Sequence, residues 1–166
     1  MLDNNHIYTE DNLMEVIGIY QSVLRGIIED CEDSHLLCVV LEKPVYTIET
    51  NGKQYTKNGF HLHFPNCFLN KKDQEQHLIP RIKRRVKENK VFENLNIDDS
   101  STVIDDKICS VNWLMYGSSK APNMEPYKAT RVIDYQGHKI SLETAFKDYL
   151  LYDYKEQFID IRNNVE

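Results

Sequence analysis

The chain has 166 residues, 28% charged and 41% hydrophobic, with ten tyrosines and six phenylalanines. That length suits one compact domain at roughly 100 to 200 residues each, and the balance of apolar and charged residues excludes collagen, coiled coil and disorder. The longest apolar run, Leu36 to Leu41, is far short of the roughly 18 residues of a membrane span, the N-terminus lacks a basic-then-apolar signal pattern, and a net charge of −6 argues against coating nucleic acid with the whole surface.

In chain order, Leu13, Val16, Ile17, Tyr20, Val23, Leu24, Ile27 and Ile28 recur at helical spacing behind Thr9, with Glu10 and Asp11 in the first turn. This predicts an amphipathic helix over 9–29, capped by Thr9. Leu36 to Glu42 reads as a strand buried on both faces and stopped by Pro44. Val45 to Glu49 and Lys53 to Thr56 flank Asn51-Gly52, the dipeptide of a two-residue hairpin turn. Phe60-His61-Leu62-His63-Phe64 alternates strictly, so His61 and His63 share one face and the apolar residues the other, before Pro65 ends the strand. A second helix is expected over 71–89, interrupted or started at Pro80, with a basic second half. After a loop at 97–102, Val103-Ile104 forms an apolar approach to Asp105-Asp106. A short strand is expected at 113–116, then a polar loop with Gly117-Ser118-Ser119-Lys120, a hairpin around Gln136-Gly137, and a last helix capped by Ser141. No internal repeat or linker divides the chain, so 1–166 is read as a single domain.

The charge is uneven. Residues 1–56, 57–90 and 91–166 carry net charges of −7, +6 and −5. The positive excess is densest in Arg81, Lys83, Arg84, Arg85, Lys87 and Lys90, which suits either a solvated helix face or a surface that tracks phosphates. Cys31, Cys38, Cys67 and Cys109 show no CxxC pair and read as free thiols in a reducing, intracellular compartment. Two histidines on one strand face suit a divalent metal or a phosphate. Asp105-Asp106 offers hard oxygen ligands for Mg²⁺ or Mn²⁺, or simply a turn. Gly117-Ser118-Ser119-Lys120 offers backbone donors, hydroxyls and an ammonium for phosphates, without the frame of a P-loop. Together these features point to a nucleoside triphosphate handled on a polynucleotide.

Lys57-Asn58-Gly59-Phe60-His61-Leu62-His63-Phe64-Pro65, Val103-Ile104-Asp105-Asp106-Lys107-Ile108, Asn112-Trp113-Leu114-Met115-Tyr116-Gly117-Ser118-Ser119-Lys120 and Pro126-Tyr127-Lys128 resemble the archaeo-eukaryotic primase domain of large nucleocytoplasmic DNA viruses. The likeness extends loosely to Val40-Leu41-Glu42-Lys43-Pro44 and through the last helix. It implies an α+β fold with a mostly antiparallel, RNA-recognition-type sheet, helices on one face, and His61, Asp105 and Lys120 meeting on the other. It also implies metal-dependent nucleotidyl transfer on a single-stranded DNA template, within a polypeptide that carries a helicase domain, in the host cytoplasm or at a viral replication site. Gly59-Phe60-His61 matches the second primase motif and makes His61 the nucleotide-phosphate contact, with His63 its neighbour. Asp105 matches the third, with Asp106 the fallback metal ligand. Ser118, Ser119 and Lys120 would hold phosphates, and Arg81, Lys83, Arg84, Arg85 and Lys87 the template. The first motif, an apolar-Asp-x-Asp-apolar strand, does not occur before His61, and the chain is expected to begin after it. Two-metal phosphoryl transfer holds its ions about 3.5 to 4 Å apart with several carboxylates, so these 166 residues are expected to be inactive alone. Two rival readings are a binding module for nucleotide or single strands without catalysis, and a metal-dependent hydrolase using His61 and His63.

Overall fold

A computed structural model describes residues 6–110, 119, 122, 124–141 and 143–145. They group into two compact units: Met1–Ile7, Leu37–Pro65 and Leu114–Glu166 form one, and Tyr8–Leu36 with Asn66–Trp113 the other.

The first unit is built on strands β1 (Cys38–Glu42), β2 (Tyr46–Thr50), β3 (Lys53–Lys57), β4 (Phe60–His63), β5 (Lys128–Ile133) and β6 (Lys139–Ile140). A four-stranded sheet has the order β4-β1-β5-β6, while β2 and β3 form a ribbon of their own, and every pairing is antiparallel. The whole of β1 is buried, as its continuous apolar run predicts. The strand starts two residues later than expected because Leu36 closes a 3₁₀ turn, Asp33–Leu36, in which the Glu32 amide donates to His35 Nδ1 at 3.0 Å. One face of the sheet gathers Leu37, Val39, Leu41, Val132 and Ala145 into an apolar cluster, with Tyr127, Ala129 and Ile140 packed against it.

Between β1 and β5 the register slips: Val40 opposes Arg131 but Leu41 opposes Ala129, leaving Thr130 as the extra residue of a β-bulge. The expected hairpin is present, with Asn51 at φ 53° and Gly52 at φ 70° supplying the positive angles of its turn. In the later hairpin Asp134 Oδ1 accepts from the Gln136 and His138 amides at 2.9 and 2.8 Å. Ser141 Oγ accepts from the Thr144 amide at 3.0 Å, the cap expected for the last helix, most of which lies outside the described residues.

The second unit is helical. Helix α1 (Glu10–Ile27) begins in a capping box, where Thr9 and Asn12 each bond the other's backbone amide. Leu13, Val16, Ile17, Val23 and Leu24 are buried as the spacing predicts and Ile19 joins them. Tyr20, Ile27 and Ile28 are only half-buried. The expected second helix is one helical run of three parts: α2 (Lys71–Asp73), a π-helical turn (Gln74–Leu78) and α3 (Ile79–Glu88). Pro80 explains the widening. It has no amide to donate and its ring crowds the carbonyl one turn back, which a wider turn relieves. Leu78, Ile79, Ile82, Val86, Val91 and Phe92 are buried. Asn12 Nδ2 donates to the Val91 carbonyl at 2.7 Å and to Asn94 Oδ1 at 2.8 Å, tying the start of α1 to the segment after α3. Beyond it come 3₁₀ turns Glu93–Leu95, Ser100–Val103 and Asp106–Cys109. No helix among the described residues is long and apolar enough to cross a membrane.

Candidate functional site

On β4, His61 opposes Leu41 and His63 opposes Val39. Directly opposed residues share a face, so the histidine face is also the face of the Leu37–Val39–Leu41 cluster. The alternation of β4 is as the sequence predicts, but the histidine face is not purely polar, because β1 beside it is buried on both sides. Burial accordingly lowers the His63 pKa below the ordinary histidine value. The same burial pushes the Cys38 thiol far up, against an opposing hydrogen bond to the His63 backbone.

The polar end of this face is a compact cluster. The His61 ring stacks on Tyr127, with centroids 4.0 Å apart and planes at 20°. Tyr127 stands just before β5, where the bulge returns it to the histidine side. The Lys43 ammonium, one residue past β1, sits 4.2 Å from the Tyr46 ring centroid and 4.9 Å from that of Tyr127. Lys43 is only 6% exposed, and no described carboxylate lies within ion-pair distance of it; the two ring faces supply its electrostatic support. Asn58 Nδ2 donates to the Lys43 carbonyl at 3.3 Å, and Asn58 Oδ1 accepts from the Ile7 amide at 2.9 Å, which fixes the backbone on both sides. Burial, then the neighbouring Tyr46, raises the Tyr127 pKa and keeps its hydroxyl protonated. A buried cation beside a histidine is equipped to receive an anion. Neither Lys43 nor Tyr127 is identifiable as a site residue from local pattern, because a cross-strand register brings them to His61.

The opposite face of β1 carries Glu42, 2% exposed. Its Oε2 accepts from the Thr130 hydroxyl and from Arg131 Nη2 at 3.1 Å, and its Oε1 lies 3.6 Å from His6 Nε2. This carboxylate is committed to holding the bulge. A charged pair, Glu42-Lys43, at the end of a buried strand was the available signal, and the sheet turns its two members to opposite faces.

Asp105 and Asp106 belong to the helical unit, His61 to the strand unit. Asp105 is exposed and caps the last 3₁₀ turn, accepting from the Lys107 amide at 2.8 Å. Asp106 pairs with Lys83 Nζ at 2.5 Å. The expected apolar approach forms the end of a 3₁₀ turn, with Val103 its last residue and 41% exposed and Ile104 its cap. Ser119 is exposed, while Ser118, Lys120 and the expected strand at 113–116 lie outside the described residues. The basic cations of α3 have local partners: Lys83 meets Asp106, Arg84 Nε lies 4.0 Å from Glu88, Arg85 donates to Ser22 Oγ at 2.7 Å and Lys87 meets Asp99 at 3.0 Å. The Ser101 hydroxyl and Lys87 together hold the Asp99 carboxyl down at about 2. Arg81 is exposed on the same helix.

The expected Mg²⁺ or Mn²⁺ finds one suitable donor in Asp105, whose second oxygen is a hard ligand. Among the described residues, no three His, Cys, Asp or Glu side chains come together as a metal-binding group. The described residues do not by themselves fit a divalent ion.

An α+β chain with a Gly-x-His motif on an antiparallel strand and an apolar-Asp motif downstream has the make-up of a primase-type domain. Residues 2–133 match the family described as "C962R protein N-terminal AEP domain", and the chain belongs to this archaeo-eukaryotic primase family. It is 35% identical over 156 residues to "Putative helicase 184R" of Invertebrate iridescent virus 6, a match covering 87% of this chain and 16% of that protein. "Putative helicase 121R" of Invertebrate iridescent virus 3 is 33% identical over 93% of this chain and 16% of its own length. "Putative helicase 022R" of Frog virus 3 (isolate Goorha) is 32% identical over 70% and 11%. The chain thus spans a small part of each relative. No solved structure matches it.

Proposed function

We propose that the chain is the nucleotide-handling part of a viral primase or primase-polymerase, which joins nucleotides on a single-stranded DNA template in a polypeptide that also carries a helicase. The observation that carries this reading is the His61–Tyr127–Lys43 cluster, where a stacked imidazole and a buried ammonium with no described counter-ion share one end of a sheet face. His61 donates to a phosphate oxygen of the incoming nucleoside triphosphate and Lys43 neutralises it. His63 supports the strand from the neutral end of the same face, and Ser118, Ser119 and Lys120 add further phosphate contacts. Asp105, with Asp106 as fallback, would supply one ligand of the Mg²⁺ or Mn²⁺ that such transfer employs, and only together with ligands other than the described residues. Arg81, Lys83, Arg84, Arg85 and Lys87 lie along the template backbone. The four free thiols suit a reducing setting such as the host cytoplasm or a viral replication site.

The engagement of Asp105 with the Lys107 amide and of Asp106 with Lys83 favours a second reading for the chain alone: nucleotide and template binding without turnover. Calorimetric titration of the chain with ATP and Mn²⁺ tests both. His61→Ala is expected to weaken binding roughly tenfold or more, the worth of one hydrogen bond to a charged group. Unchanged affinity in that variant sinks the site. Primer synthesis that vanishes in Asp105→Ala selects catalysis over binding alone.

A further inference from the structure

The β2–β3 ribbon sorts its side chains by charge. Tyr46 opposes Lys57, Ile48 opposes Tyr55 and Thr50 opposes Lys53, so these six share one face, while Thr47, Glu49, Gln54 and Thr56 share the other. The first face has two lysines, two tyrosines and no carboxylate; the ribbon's acidic residue, Glu49, points the opposite way. Lys53 and Lys57 are exposed, and Tyr55, midway between them, is 48% exposed, a large aromatic surface left open to solvent. At about 3.3 Å per residue the two lysines stand about 13 Å apart. At the foot of the ribbon a groove of about 400 Å³ is lined by Lys43, Tyr46 and Ile48, together with Met124 and Glu125; Glu125 lies 4.0 Å from Lys128 Nζ.

A Lys-x-Tyr-x-Lys strand face has the parts of a single-strand platform: an aromatic ring on which an unpaired base stacks, flanked by ammoniums for the phosphates on either side. In a duplex the bases are already stacked on one another and do not reach such a ring. We propose that this face of the ribbon binds single-stranded nucleic acid, with a base on Tyr55 and phosphates on Lys53 and Lys57. The inference rests on the reading of the chain as a template-using domain and adds to it a contact surface separate from α3.

Fluorescence anisotropy of a fluorescein-labelled oligothymidylate with the 166-residue chain tests it. Tyr55→Ala is expected to weaken binding about fivefold or more, with Tyr55→Trp restoring it. The Lys53→Ala/Lys57→Ala double variant is expected to lower the slope of log affinity against log salt by about 1.4, two phosphate contacts at about 0.7 each. Gln54→Ala/Thr56→Ala, on the opposite face, is expected to match the unaltered chain, and circular dichroism confirms that each variant is folded. Wild-type affinity in both the Tyr55 and the double-lysine variants overturns the ribbon, and if His61→Ala still weakens ATP binding roughly tenfold or more in parallel, the nucleotide reading stands without it. Loss in the lysine variant with none in Tyr55→Ala overturns single-strand recognition in favour of a general polyanion contact. An unaltered chain that binds neither oligonucleotide nor ATP overturns both readings.

Discussion

His63 shows how one residue's surroundings change its chemistry. The alternation that pairs it with His61 is legible in five letters of sequence, but its burial beside Val39 is set by β1, more than twenty positions upstream. Burial lowers its folded pKa, so on acidification the unfolded chain takes up a proton at about pH 6.5 before the folded chain does. The stabilising contribution is therefore complete above about 6.5 and is lost as the pH falls through the lower folded value. Urea unfolding followed at about pH 7.5 and about pH 5 is expected to show a smaller loss of stability on acidification in His63→Gln than in the unaltered chain. Lys43 teaches the complementary lesson: nothing adjacent in the sequence marks a lysine for burial between two tyrosine rings, one of them 84 positions away.

Among elements, those specified by adjacent residues were the readable ones. The Thr9 cap, the face of α1 and the Asn51-Gly52 turn follow from local chemistry and lie within a residue or two of where the spacing places them. The interruption at Pro80 was readable, though not its π-helical form; the bulge at Thr130 was not, since it settles a conflict between a local preference and packing set elsewhere. The end of α3 holds a similar conflict. Lys90 adopts φ 52° while the Val91 amide reaches back to the Val86 carbonyl at 3.2 Å, a helix stop that glycine makes without steric cost. Lys90→Gly is expected to stabilise the chain by roughly 0.5 kcal/mol, the relief of left-handed strain less the added flexibility of the unfolded state. Thermal and urea unfolding measure it.

For the whole molecule, the acidic balance resolves into local fields. The positive term of +6 over residues 57–90 lies chiefly along the helical run, where Lys83, Arg84, Arg85 and Lys87 all have partners, while Lys53, Tyr55 and Lys57 project from the ribbon. Exposed pairs of this kind are worth about 0 to 1 kcal/mol, so a phosphate competes with them readily. Charge reversal at Arg84 and Arg85 is expected to weaken oligothymidylate binding and flatten its salt dependence. Anisotropy across a salt series measures this, and an unchanged slope would assign those cations to holding the helical unit together. The sequence exposed the charge block but not its partners, because Asp99 and Asp106 sit in loops whose path local pattern does not fix.

The bulge in β5 acts as a parity switch. Arg131 and Tyr127 are both odd-numbered, and in an uninterrupted strand they would emerge on the same side; Thr130, counted out of the pairing, lets Arg131 serve the Glu42 side while Tyr127 serves the His61 side. Loss of Thr130 would leave Arg131 opposite Val40 and Ala129 opposite Leu41 in a regular ladder, with Arg131 and Tyr127 still on the sides they now occupy. The sidedness of Arg131 and Tyr127 is thus set by the pairing of Arg131 with Val40 and of Ala129 with Leu41, and not by the number of residues between them.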